Sequence, residues 1–295
     1  ATEATMKYFL IQITAAAMIL FTGTMSAWLS GQWTMLQPQH PLPTTIMTMA
    51  VMMKLGLAPV HAWYPEVLQG STMTTALLIS TWQKLAPLSF LYMMMNSLNP
   101  NMLLLIGLSS ALIGGWGGLN QTQARKIMAF SSIAHMGWLI TTLTTNPSLT
   151  TLTLLIYLIM TSTMFIMFHL TMTKTLLDLG TLGSHTPPTQ IIILLTLISL
   201  GGLPPLTGFM PKWLIMKEMV TMNMLPMSTA LLLASLPSLF FYVRVTYLTA
   251  LLAPPTTTNT KHNWRLKMPH KTPPSFITML ALLSLPLTPM MYYTT

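Results

Sequence analysis

The chain has 295 residues, of which 52% are hydrophobic and only 6% charged, with a formal net charge of +9. A soluble domain carries roughly 25% charged residues, so this chain cannot coat a water-facing surface of its size and its main solvent is lipid. The absence of cysteine excludes disulfides and thiolate metal or iron–sulfur ligation, and the few scattered basic residues do not make the dense basic face that a nucleic-acid partner requires.

A crossing needs about 20 apolar residues to span ~30 Å of hydrocarbon. In chain order the apolar runs predict nine spans: 7–29, 44–64, 71–93, 101–118, 123–143, 147–172, 189–224, 228–251 and 274–293. This is an all-α polytopic membrane protein forming one transmembrane domain over 1–295. Its connections are short and rich in Pro, Asn and Gly, apart from a polar stretch at 253–274. The start, ATEATMKYFL, has neither an initiator Met nor a signal sequence, and the expectation is an incomplete N-terminus. The 29 methionines and abundant threonine resemble the usage of mitochondrially encoded membrane proteins.

Charge orients the spans. Lys7, Arg125, Lys126, Lys174, Lys261, Arg265, Lys267 and Lys271 fall in the segments on one side of the alternation. The opposite loops, at 30–43, 94–100, 144–146 and 225–227, and the C-terminus hold no Lys or Arg. The positive-inside rule puts the N-terminus on the inner, matrix-like side.

Five basic residues remain inside spans: Lys54, Lys84, Lys212, Lys217 and Arg244. An intramembrane lysine costs about 2.5–3.5 kcal/mol on insertion scales. Arg244 is near a span end and can snorkel, and Lys217 adjoins Glu218. Lys54, Lys84 and Lys212 are placed at mid-depth. The acids are Glu3, Glu66, Asp178 and Glu218, none of them set by sequence beside Lys84. Structural ion pairing of the three lysines therefore lacks partners in this chain, and a proton relay is the favoured reading. His61 and His135 are auxiliary candidates because imidazole titrates near neutral pH; His135 continues a polar stripe with Ser131 and Ser132. His169 is read as a hydrogen-bonded structural histidine. No pair of histidines has metal-ligand spacing on one helix, so neither a metal nor a cofactor is expected.

Two spans break themselves, at KLGLAPVHAW (54–63) and LGGLPPLTGFMPKW (200–213). Proline removes a helix donor and clashes with the preceding turn. The freed carbonyls are tolerated at membrane depth only inside protein or beside water, so both breaks are expected along a hydrated path. The shared words GLAP (56–59) and GLPP (202–205), each near a lysine, suggest paired structural repeats. GGWGG (114–118) lacks the GxGxxG context of a dinucleotide site and is read as close helix packing or a loop.

KLGLAPVHAWYPEVLQG (54–70), TWQKLAP (81–87), GGWGGLNQTQARKIMAFSSIAHMGW (114–138) and SLGGLPPLTGFMPKW (199–213) closely resemble the subunit 2 family of mitochondrial NADH:ubiquinone oxidoreductase, respiratory complex I. This is an antiporter-like group, similar to subunits of cation/proton antiporters. The resemblance covers essentially the whole chain. It implies inverted five-helix bundles, here with 1–143 completing the first and starting the second, 144–251 continuing the second, and 252–295 supplying a basic inner loop and last helix. It also implies a proton path in which the family's three lysines match Lys54, Lys84 and Lys212, while His61 and His135 lie in matching motifs. The implied setting is the mitochondrial inner membrane, with the C-terminus toward the intermembrane space. Other complex I membrane subunits, including neighbouring antiporter-like ones, and lipids are the partners. Redox chemistry falls to other subunits of the translocase. The family places about two helices, with a glutamate facing the first broken-helix lysine, before the point where this sequence starts. A cation/proton antiporter subunit and a structural spacer between pump modules are the competing readings.

Overall fold

The computed structural model describes residues 2–33, 40–185, 187–252 and 275–289. Among these, every extended regular element is helical: α1 (Thr2–Ser30), α2 (Pro41–Leu55), α3 (Trp63–Gly70), α4 (Met73–Ser80), α5 (Trp82–Met94), α6 (Pro100–Gly118), α7 (Ala124–Thr145), α8 (Pro147–Thr171), α9 (Leu176–His185), α10 (Pro187–Gly201), α11 (Phe209–Thr221), α12 (Leu225–Tyr247) and α13 (Ser275–Leu283). Proline in the first turn, where no intrahelical donor is lost, opens α2, α6, α8 and α12. Asn146 caps α8 by accepting from the Ser148 N–H.

Five helices, α1, α6, α7, α8 and α12 with its extension, are each long and apolar enough to cross a membrane. The expected crossings at 44–64 and 189–224 are helix pairs, α2/α3 and α10/α11, as the proline motifs predict. The crossing at 71–93, expected to be continuous, is also interrupted, at Thr81 between α4 and α5. Of the last expected crossing, α13 and a short turn at Leu285–Leu287 are seen. The basic loop with Lys261, Arg265, Lys267 and Lys271 lies outside the described residues.

Several of the basic residues meet polar groups of neighbouring segments. At one end of the bundle Lys7 bridges Glu3 and Glu66 at 2.7 Å each. Arg125 donates to the Ser71 carbonyl and Arg244 to the Leu119 carbonyl. The backbones around Gln123 and Thr175 pair. The turn into α9 is a capping box: the Asp178 carboxylate accepts from Lys174 and Thr175 N–H, and Asp178 N–H donates to Thr175 Oγ1. Those backbone donors hold the Asp178 carboxyl below its usual range.

Of three apolar cores, the two larger ones lie toward different ends of the bundle. Trp63, Leu68, Ala124, Phe168, Leu176 and Val245 share the core nearest the basic end. Met47, Met94, Leu98, Leu103 and Leu143 share the other. The chain leads from the second of these cores (Met47, Leu55) to the first (Trp63, Leu68) through α2 and α3, and from the first (Ile193, Leu200) into a third (Ile215 and Met219, with Trp138 and Leu231) through α10 and α11.

The glycines of GGWGG are packing surfaces on two sides of α6. A side chain at Gly114 would meet Ala134, and one at Gly117 would meet Phe130, both on α7; Gly115 and Gly118 face Ala234 and Phe241 of α12. Small residues let backbones approach where lipid removes the usual hydrophobic drive. Trp116 between them is 70% exposed, as a lipid-facing ring is. Hydroxyls need no cross-helix partner either: Thr141, Thr142 and Thr163 each donate to a carbonyl three residues back.

Gly114→Val is expected to destabilise the fold by about 1–3 kcal/mol through overpacking, whereas Trp116→Leu should stay within about 0.5 kcal/mol. Thermal unfolding of the two variants, assembled in their native complex, checks the difference.

Candidate functional site

Each break is built around a left-handed glycine. Gly56 (φ +71°) ends α2, its N–H donating to Met53 O while Leu57 N–H donates to Met52 O, the paired bonds of a Schellman cap. A side chain at Gly56 would press on Tyr64, at 3.1 Å from its Cβ. Gly202 (φ +85°) follows α10, and Gly208 brings the start of α11 against the Ser199 carbonyl. The prolines lie on the outside of the breaks: Pro59, Pro204 and Pro205 are exposed, while Leu57, Ala58 and Thr207 are buried. The rings, having no N–H to satisfy, suit the outside of the turn, and the glycines leave room inside.

Lys54 sits in the last turn of α2. Lys212 sits in the first turn of α11, but its Nζ reaches back to the Gly201 carbonyl at 3.0 Å, the last residue of α10. The Lys212 ammonium thus sits at the carboxyl-terminal end of α10, and Lys54 belongs to the last turn of α2, where unsatisfied carbonyls and the helix dipole favour a cation.

Lys84 is only 3% exposed. Its Nζ donates to the Tyr157 hydroxyl at 3.0 Å and lies 4.8 Å from the Tyr64 ring centroid and 5.1 Å from that of Tyr157, within cation–π range. Tyr64 belongs to one of the two larger apolar cores and Tyr157 to the other, so Lys84 sits where the two meet. The Tyr157 hydroxyl donates in turn to the Ser80 carbonyl at 3.1 Å. That carbonyl is available because Lys84 N–H bonds to Thr81 O and not four residues back. Among the described residues the ion pairs are those of Lys7 with Glu3 and Glu66; neither involves Lys54, Lys84 or Lys212.

Small cavities lie on the two sides of the Lys84–Tyr157 pair. One of about 10 Å³ is lined by Lys54, Tyr64, Gln83 and Lys84 together with Gln12 of α1. It adjoins a wider opening of about 310 Å³ lined by Gln12, Lys54 and Gln83. On the other side, a cavity of about 30 Å³ is walled by His135, Tyr157 and Lys212 among apolar neighbours. Such volumes suit single waters where polar groups are present. The His135 ring is 5.9 Å from that of Tyr157, within electrostatic reach of both Lys84 and Lys212. His135 is therefore brought to the lysines. His61 is not: its Nδ1 lies 3.2 Å from Pro59 O, outside these cavities. His169 lies in the last turn of α8. Lys217 is exposed.

Sequence reasoning did not single out Tyr157, Tyr64, Gln12 or Gln83. Tyr157, a polar tip in the apolar run LTLLIYLIM, carried a usable signal. Glutamine and tyrosine are common enough in membrane helices that only proximity gives the others meaning. The hydroxyls of Tyr64 and Tyr242 and the Trp63 indole N–H are buried with no direct hydrogen-bond partner among the described residues.

This arrangement of broken helices and intramembrane lysines defines a class of antiporter-like membrane proteins, and comparison agrees. The family described as NADH:quinone oxidoreductase/Mrp antiporter, transmembrane, matches residues 1–238, and NADH dehydrogenase subunit 2 C-terminus matches 239–292. The chain belongs to this family and is a multi-pass membrane protein. Similar relatives include NADH-ubiquinone oxidoreductase chain 2 of Xenopus laevis, 52% identical over 96% of this chain and 81% of that one. The Bos taurus chain of the same name is 49% identical over 99% of this chain and 84% of that one. A chain of respiratory complex I from Thermus thermophilus with bound Aureothin superposes with TM-score 0.79 at 26% identity, covering 96% of this chain and 68% of that one. A chain of the Mrp complex from Dietzia sp. shares the fold with TM-score 0.77 at 16% identity, covering 86% of this chain and 52% of that one.

Gly202→Ala places a Cβ 3.1 Å from Lys212 Nζ in a left-handed backbone that costs about 1–2 kcal/mol for L-residues. Lower thermal stability and displacement of Lys212 from the Gly201 carbonyl are expected, read by melting of the variant and by its structure.

Proposed function

We propose that this chain is a core membrane subunit of respiratory complex I in the mitochondrial inner membrane. It translocates protons through Lys54, Lys84 and Lys212, driven by NADH-to-ubiquinone electron transfer in other subunits. The observation that carries the reading is Lys84: a buried amine held by a tyrosine hydroxyl and two aromatic rings, without an acidic partner among the described residues, itself lining a cavity shared with Lys54 while its partner Tyr157 lines one shared with Lys212. Names and fold of the relatives support the assembly.

The mechanism follows from charge and geometry. A unit charge at 4 Å interacts by roughly 4 kcal/mol at an effective dielectric near 20. A charge arriving in a neighbouring subunit acts on buried Lys84 from farther away and correspondingly more weakly, and biases its proton occupancy. A proton released from Lys84 passes toward His135 and Lys212, and Lys54, at the wider opening with Gln12 and Gln83, resupplies Lys84. The basic end of the bundle faces the matrix by the positive-inside rule, and Lys212 delivers toward the intermembrane space. His61, in the first break, is at most auxiliary to this route. The remaining partners are neighbouring antiporter-like subunits and lipid, and no cofactor is assigned to this chain.

Lys84→Met in the intact complex is expected to lower the number of protons translocated per NADH oxidised; a normal stoichiometry would sink the relay. Unchanged pumping after neutralising Lys54, Lys84 and Lys212 together would make the chain a spacer, and Na⁺-dependent transport by the isolated chain would make it an antiporter.

A further inference from the structure

We infer that the Tyr157 hydroxyl is the gate of this relay, parked on the Ser80 carbonyl in the closed state and turning toward the His135–Lys212 cavity to pass a proton. The inference rests on the lysine relay proposed above. Lys84 lines the cavity on the Lys54 side, and Tyr157 lines the one on the Lys212 side. Of the two aromatic residues in contact with Lys84, Tyr157 alone also walls the Lys212 cavity. Tyr157 is thus both the partition between the two half-paths and a hydrogen-bonding group within that partition.

In the observed geometry the wire is closed. The Lys84 ammonium donates to the Tyr157 oxygen at 3.0 Å, and the Tyr157 O–H donates to Ser80 O at 3.1 Å. A backbone carbonyl accepts but has no proton to pass on, so the chain of donors ends there. The parking place exists because α4 and α5 are interrupted: Lys84 N–H turns to Thr81 O and leaves Ser80 O open. The break at Thr81 therefore provides both the position of Lys84 and the resting bond of its gate.

Opening requires only rotation of the hydroxyl about its ring–oxygen bond. With O–H turned toward a water in the cavity of about 30 Å³, one N–H bond of the Lys84 ammonium breaks as a new O–H bond forms on Tyr157. The original Tyr157 proton leaves to the water and from there to a His135 ring nitrogen or the Lys212 amine. Tyr157 is neutral before and after; Lys84 loses one proton and the Lys212 side gains one. Return of the hydroxyl to Ser80 O closes the path against backflow.

Tyr157→Phe keeps the ring and the cavity wall and removes only the hydroxyl. The test is the proton yield per NADH of the assembled complex in sealed vesicles, beside Lys84→Met. With assembly and NADH oxidation by an artificial acceptor unchanged, Tyr157→Phe should lose the same share of translocation as Lys84→Met. Normal yield in Tyr157→Phe with a lowered yield in Lys84→Met overturns the gate but leaves the relay. Normal yield in both overturns the relay itself. If the Phe variant fails to assemble, Tyr157→His decides: its ring both donates and accepts, so a retained yield supports the gate, and a yield at the Lys84→Met level in an assembled complex overturns it.

Discussion

In hydrocarbon every backbone N–H and C=O must find a partner within the protein, and the lysine path depends on how this chain meets that requirement where its helices stop. Each break leaves carbonyls at the carboxyl-terminal end of a half-helix. At α2 the cap is closed by Gly56 and Leu57, and Lys54 stands in the same turn. At α10 the ammonium of Lys212 comes from the next half-helix to the Gly201 carbonyl. The helix end favours the cation, and the cation occupies a carbonyl that would otherwise be orphaned. Two costly features, an intramembrane charge and an interrupted helix, thereby offset one another.

The third lysine is held differently. Lys84 stands in the first turn of α5, but its Nζ does not return to a helix-end carbonyl as that of Lys212 does. It follows the interruption at Thr81 and is held by two aromatic faces and one phenolic hydroxyl. Such contacts moderate the cost of burial without neutralising the charge as a carboxylate would. An amine fixed by an ion pair would keep its proton through the cycle; one held by rings and a hydroxyl responds to charge arriving nearby. Tyr157 also walls the cavity lined by His135 and Lys212, so the weakly held lysine stands beside both sides of the path.

Much of this was legible in the chain because membrane solvation makes exceptions conspicuous. The proline and glycine motifs marked the broken crossings, the uneven basic loops marked one end of the bundle, and GGWGG proved to be the close packing its small residues suggest. The interruption at Thr81 was not legible, because Thr-Trp-Gln-Lys holds no helix breaker. Its visible consequence is a carbonyl taken by Tyr157, 77 residues away in sequence. Nor did the prolines reveal their own orientation: they lie on the outside of each turn while the glycines face inward.

By itself the sequence determined the solvent, the alternation of the crossings, the sites of the two proline-marked breaks and the three lysines that deserve a partner, since each follows from local composition against the cost of polar groups in lipid. Tertiary structure alone decided which groups meet. It set Lys212 on a carbonyl of the preceding half-helix, Lys84 on a tyrosine from α8, and His135 beside that tyrosine rather than His61. Those contacts join residues 11 to 73 positions apart and on different helices, which no local pattern encodes.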